Sequence, residues 1–155
     1  MSGHYQSTQE RRSNTAELID HMLVERQQLL SLLLQVSELK NEELNNTDEE
    51  LLDEFCQVLV DYIASGHFGL YDRIIKKQER RKNVSELALR IYPSIDKTTQ
   101  TVLSFNEKYD PENARRKLAE LQVDLSILGE DLASRIELED QLIQCLQESR
   151  ETTRN

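Results

Sequence analysis

Apolar residues recur at helical spacing along one unbroken stretch, Asp48 to Ile75 (DEELLDEFCQVLVDYIASGHFGLYDRII), and nothing else narrows the fold as far. Leu52, Phe55, Cys56, Leu59, Val60, Ile63, Leu70, Tyr71 and Ile74 are spaced as on a helix with one buried face. At about 100° per residue, the opposite side carries Glu54, Val58, Asp61, Ser65, Phe68 and Asp72. A solvated face normally mixes its charges and holds no phenylalanine. Acids interleaved with Val58 and Phe68 describe a surface that meets a basic, partly apolar partner.

The rest of the chain repeats the helical pattern. Asn14 with Glu17 predicts the start of a first helix, carried to about Leu39 by Ile19, Met22, Leu23, Leu29, Leu30, Leu33, Leu34 and Val36. Its LLSLLLQV run is apolar on more than one side, which predicts a helix deeply buried or flanked on two sides. Thr47 with Glu50 predicts a capping box for the second helix. Gly66 and Gly69 interrupt that helix at about 1 kcal/mol each, which favours close packing against a neighbour. His67 falls on the buried stripe, so a core histidine is expected there. Asn83 with Glu86 predicts a third helix, with Leu87, Ala88, Ile91, Ile95, Thr98, Val102 and Phe105 inward. Pro93 lacks a donor and predicts a kink or break near Tyr92. Asp110-Pro111 predicts the restart into a fourth helix. There Leu118, Leu121, Leu125, Leu128, Leu132, Leu142 and Leu146 keep a near-heptad beat. Arg135 and Glu139 stand where that beat expects apolar residues, so they pair with each other or with another helix.

The expectation is an all-α protein, an antiparallel four-helix bundle with helices near 14–39, 48–79, 84–108 and 111–147. Residues 14–147 form its single domain. Residues 1–13 and 148–155 are expected to be flexible.

Composition then removes function classes. Four glycines and two prolines in 155 residues suit helices. A net charge of −10 argues against nucleic acid held through its phosphates. Nine acids and no lysine or arginine lie between Asn41 and Asp72, so the charge is segregated toward a basic protein partner. The basic run Lys76 to Lys82 follows as a solvated helix end suited to the dipole. Cys56 and Cys145 sit on apolar stripes, as small hydrophobes of a reduced compartment. No stretch suits a membrane span, and the first residues lack the apolar core of a signal peptide; a cytoplasmic protein is expected. There is no Glu-x-x-His, no Cys-x-x-Cys and no glycine-rich phosphate loop. No cofactor, no metal and no enzymatic activity are expected. The other function classes are a helical adaptor or histidine phosphotransfer-like module acting through His67, and a structural helical oligomer that self-associates through Val58 and Phe68.

The second-helix residues resemble the Rsd/AlgQ family of bacterial anti-sigma factors. Phe55, Cys56, Leu59, Val60, Asp61, Tyr62, Gly66, His67, Phe68 and Tyr71 match its hallmark, with Ser65 in place of an alanine. IYP at Ile91 to Pro93, FNEKYDP at Phe105 to Pro111 and LGEDLASRIELEDQLI at Leu128 to Ile143 extend the match. The resemblance implies a four-helix bundle that binds region 4 of the primary sigma factor, the part that reads the −35 promoter element and docks on core RNA polymerase. It implies occlusion of both contacts, in a one-to-one complex, with a shift toward alternative sigma factors in stationary phase. Asp61 as a salt-bridging acid and Phe68 as an apolar anchor follow from the matched motif; Ser65 and Asp72 join them from the helical face.

Overall fold

A computed structural model describes residues 8–75, 81–111 and 117–153. The described chain is all-helical: α1 (Thr8–Ser37), α2 (Asn46–Ala64), α3 (Asp72–Ile75), α4 (Lys82–Lys108) and α5 (Leu118–Thr153). Between α2 and α3 a π-helical segment, Ser65–Tyr71, continues the helix. Together these three pieces form one long rod, so four long helical stretches build the bundle. No strand occurs among the described residues; a single antiparallel bridge pairs Glu43 with Lys117.

The ends of the helices differ from the sequence expectation. α1 begins at Thr8, so Asn14 lies inside it. Residues 1–7 of the segment expected to be flexible lie outside the described residues, as do 154–155 at the other end. The capping box of α2 sits two residues earlier than expected, at Asn45 and Asp48. The Asn45 side chain accepts from the Asp48 amide at 2.8 Å, and Asp48 accepts from the Asn45 amide at 3.2 Å. Asp48 also accepts from the Asn41 side chain at 2.8 Å, which fixes the preceding loop and decides against Thr47. Asn45→Ala is expected to cost about 1 kcal/mol, read as a lower urea midpoint with an unchanged slope.

α4 starts at Lys82 without a side-chain cap, and Asn83 lies within it. It runs unbroken through Pro93. Pro93 and Leu89, the residue one turn back whose carbonyl has lost its donor, are both exposed, so water can serve that carbonyl. Residues 76–80 of the basic run lie outside the described residues, as do 112–116. The helix expected to restart at Asp110-Pro111 does not do so there: Pro111 is in a turn, Lys117 pairs with Glu43, and α5 is helical from Leu118 to Thr153.

Each rod buries one stripe. Leu52, Phe55, Leu59 and Tyr62 of α2 meet Ile19, Met22 and Leu29 of α1 and Val84, Ala88, Val102 and Phe105 of α4 in a single core. Phe55 and Phe105 pack edge to face with ring centroids 6.0 Å apart. α1 buries only one side: Leu29, Leu32 and Val36 are covered, while Leu34 is 60% exposed and Leu30 is also exposed. Deep burial or flanking on two sides was expected, but Leu30 and Leu34 stay exposed and α1 meets α5 over a much shorter stretch than it meets α2.

Polar partners step in opposite directions along paired rods. Between α4 and α5, Arg81 donates to the Leu146 carbonyl at 3.0 Å, Thr101 to Asp131 at 2.5 Å and Tyr109 to Asp124. Leu118 donates its amide to the Glu42 carbonyl, tying the start of α5 to the loop between α1 and α2.

Candidate functional site

The residues singled out on the outer face belong to α2 and the π segment. A π turn closes its hydrogen bonds five residues back, as the Asp72 amide does on the His67 carbonyl. Its turn is wider than that of an α-helix, so each step rotates the chain less. That rotation sets the bearing of the residues after Ser65 around the rod.

The glycines show why the wide turn is accommodated. A Cβ at Gly66 would lie 3.0 Å from Glu139 Oε2 and 3.6 Å from Arg135 Nη2. A Cβ at Gly69 would lie 3.4 Å from a Leu18 methyl. The backbone thus approaches α5 on one side and α1 on the other, and only the absence of a side chain at 66 permits the first approach.

Beneath Gly66 is a buried polar cluster that joins all four rods. Arg135 and Glu139 are both 0% exposed, and Arg135 Nε donates to Glu139 Oε2 at 3.2 Å. Arg135 Nη1 donates to Thr98 Oγ1 at 3.0 Å, Thr99 Oγ1 at 2.8 Å and the Ile95 carbonyl at 3.3 Å, all on α4. Tyr62 on α2 donates its hydroxyl to Glu139 and accepts from Arg26 Nε of α1 at 2.9 Å. Arg26 also pairs with Asp140 at 2.6 Å. The sequence had marked Arg135 and Glu139 as misfits in the heptad; they pair with each other and with the other helices.

Burial pushes the Glu139 carboxyl above the usual carboxylate range, against the pull of Arg135, Tyr62 and Arg26. Burial, reinforced by the nearby Glu139 charge, likewise holds the Tyr62 phenol far above its ordinary value. The Arg26 guanidinium is held above its ordinary value despite burial, because Asp140 and Tyr62 both accept from it. Glu139 answers Arg135 inside the core, and Arg26 reaches outward to the exposed Asp140, so neither guanidinium is left unpaired.

The outer face contrasts with this interior. Phe68 is 69% exposed, and its ring meets the His67 imidazole edge to face at 4.9 Å. Asp61 is exposed and accepts from the Gln57 side chain at 3.0 Å. Asp72 is half-buried. Ser65 is half-buried and turned toward α1, where it donates to Glu25; the same carboxylate pairs with His21 at 2.7 Å. Val58 is half-buried against the core rather than free on the surface. His67 was expected inside the core and is only half-buried. Leu70 and Tyr71 are buried, as their places on the stripe predict. Sequence spacing missed Gly66, Arg26 and Tyr62 as members of one site. The available signal was the absence of an apolar residue on the stripe between Ile63 and Leu70.

Among the described residues, no group of three or more histidines, cysteines or acids is placed to hold a metal ion. No helix there is long and apolar enough to cross a membrane. Neither Cys56 nor Cys145 is in a disulfide.

Comparison with known proteins agrees with this picture. The sequence model described as "Regulator of RNA polymerase sigma(70) subunit, Rsd/AlgQ" matches residues 1–147. A "Regulator of sigma D" from Yersinia enterocolitica is 39% identical over 153 residues, covering 96% of this chain and 92% of the relative. Relatives of the same name from Yersinia pseudotuberculosis and Enterobacter sp. strain 638 are each 38% identical, covering 96% and 92% of this chain and 90% and 88% of their own. With the family sequence matched over nearly its whole length and an all-helical structure to go with it, the chain belongs to the Rsd/AlgQ family of sigma-factor regulators.

Proposed function

We propose that this protein is a cytoplasmic anti-sigma factor, an antiparallel four-helix bundle that binds region 4 of the primary sigma factor one-to-one. By covering region 4 it blocks contact with core RNA polymerase and with −35 promoter DNA, lowering primary-sigma transcription in favour of alternative sigma factors. It acts as a regulator and not as an enzyme. Asp61, Phe68 and Asp72 form the docking face, with Ser65 at its edge against α1.

The observation that carries this reading is Phe68, an aromatic ring 69% exposed beside Asp61 on an acidic rod. Exposed aromatics that become buried on binding act as anchors, and an acidic surround steers a basic DNA-reading helix toward them. Family membership and the relatives' names support the choice of a sigma factor as partner.

Titration calorimetry of the protein with isolated sigma region 4 tests the proposal. Binding at one-to-one stoichiometry is expected, with association slowed by added salt because the acids act at a distance. No heat and no complex on size exclusion would remove region 4 as the partner.

A further inference from the structure

The π segment has two ways to be wound. With α-type bonds its residues would each turn by about 100°; with the π bonds seen here they turn less. Over Ser65–Tyr71 the difference accumulates: Phe68 faces outward on either winding, but the winding sets its bearing around the rod. π turns are rare and need a local reason. In the observed winding Tyr71 is fully buried and Phe68 is exposed.

The local reason lies at Gly66. Glu139 Oε2 stands 3.0 Å from where a Cβ would be, on a carboxylate gripped by Arg135, Tyr62 and Arg26. A free glutamate tip would yield to an intruding methyl group; this one is held from three directions in the core.

We propose that Glu139 and Gly66 form a register clamp: the fixed Glu139 carboxylate fills the space above Gly66, holds the segment in its π winding and so aims Phe68 at the partner. Both are positioning residues of the docking face. The role in sigma binding rests on the function proposed above; the control of winding does not.

The test uses the full chain labelled with 4-fluorophenylalanine, in which Phe55 and Phe105 are buried and Phe68 supplies the exposed resonance. Three variants are compared with the unsubstituted protein by fluorine NMR, by amide exchange over residues 65–72 and by affinity for sigma region 4. Gly66→Ala is expected to move the Phe68 resonance, raise amide exchange in the segment at least tenfold and weaken region 4 binding at least tenfold. Glu139→Gln keeps the shape of the side chain and weakens its grip; it is expected to raise exchange in the same residues and broaden the Phe68 signal. Gly69→Ala places its methyl group at ordinary contact distance from Leu18 and is expected to leave all three readouts unchanged. If Gly66→Ala does not fold, Glu139→Gln decides alone. A folded Gly66→Ala or Glu139→Gln with an unmoved Phe68 resonance and unchanged exchange would overturn the clamp. A moved resonance with unchanged region 4 affinity would keep the clamp and instead remove this face from sigma binding.

Discussion

Glu139→Ala is expected to lower the stability of the protein by about 3–5 kcal/mol. The substitution removes a carboxylate that answers two buried groups, the Arg135 guanidinium and the Tyr62 hydroxyl. Arg135, 0% exposed, would keep its charge in the core with only neutral acceptors around it. The methylenes lost with the side chain add a cavity cost. Against a total of about 5–15 kcal/mol for an ordinary domain, that loss leaves little margin. A fall in melting temperature of about 10 °C or more follows for a chain of this length. Replacing Arg135 and Glu139 together with leucines should cost clearly less than the two single changes summed, because neither charge is then stranded. Urea denaturation of the four proteins measures the cycle. A Glu139→Ala loss below about 1 kcal/mol would contradict the burial and pairing described here.

Phe68→Ala is the second large effect, and it falls on binding instead of folding. The ring is exposed in the free protein, so its removal uncovers no core, and circular dichroism should match the unsubstituted protein. An aromatic anchor truncated at the centre of an interface costs about 2 kcal/mol or more, which is about a 30-fold weaker dissociation constant for sigma region 4. Asp61→Ala should weaken binding as well, chiefly through slower association, since an exposed acid at a rim steers more than it holds. The Phe68 effect should persist at high salt while the Asp61 effect fades. Unchanged affinity in both folded variants would move the binding surface to another face of the bundle.

How much of this was written in the sequence depends on the kind of interaction involved. The rods were legible because burying a stripe dominates helix placement, and Leu52, Phe55, Leu59, Val102, Leu121 and Leu128 all face inward as their spacing requires. Helix ends were less legible. Asn45 and Thr47 are both good caps, and the loop residue Asn41, which also holds Asp48, decided between them. Pro93 looked like a breaker, yet it lies on the solvent side, where water replaces the missing donor. The outward placement of Asp61 and Phe68 followed from the wheel. Ser65 and His67 departed from it: Ser65 turns toward α1 to reach Glu25, and His67, expected in the core, is only half-buried. Arg26 was invisible as a core residue, since an arginine among leucines on a first helix ordinarily reaches solvent. Only the three-dimensional approach of Tyr62 and Glu139 explains its burial.

The cluster under Gly66 also bears on how the chain finds its topology. Arg26 and Tyr62 are 36 residues apart, Tyr62 and Glu139 are 77 apart, and Arg26 and Glu139 are 113 apart. Apolar stripes alone would tolerate several ways of stacking these rods, because leucine packs against leucine in many orders. The polar groups are less forgiving: a half-assembled or wrongly stacked chain traps charges without partners. Such long separations also make these contacts slow to form, so they close after the nearby rods have met. The cluster therefore favours the one stacking in which the rod nearest the amino end and the rod nearest the carboxyl end meet at Tyr62.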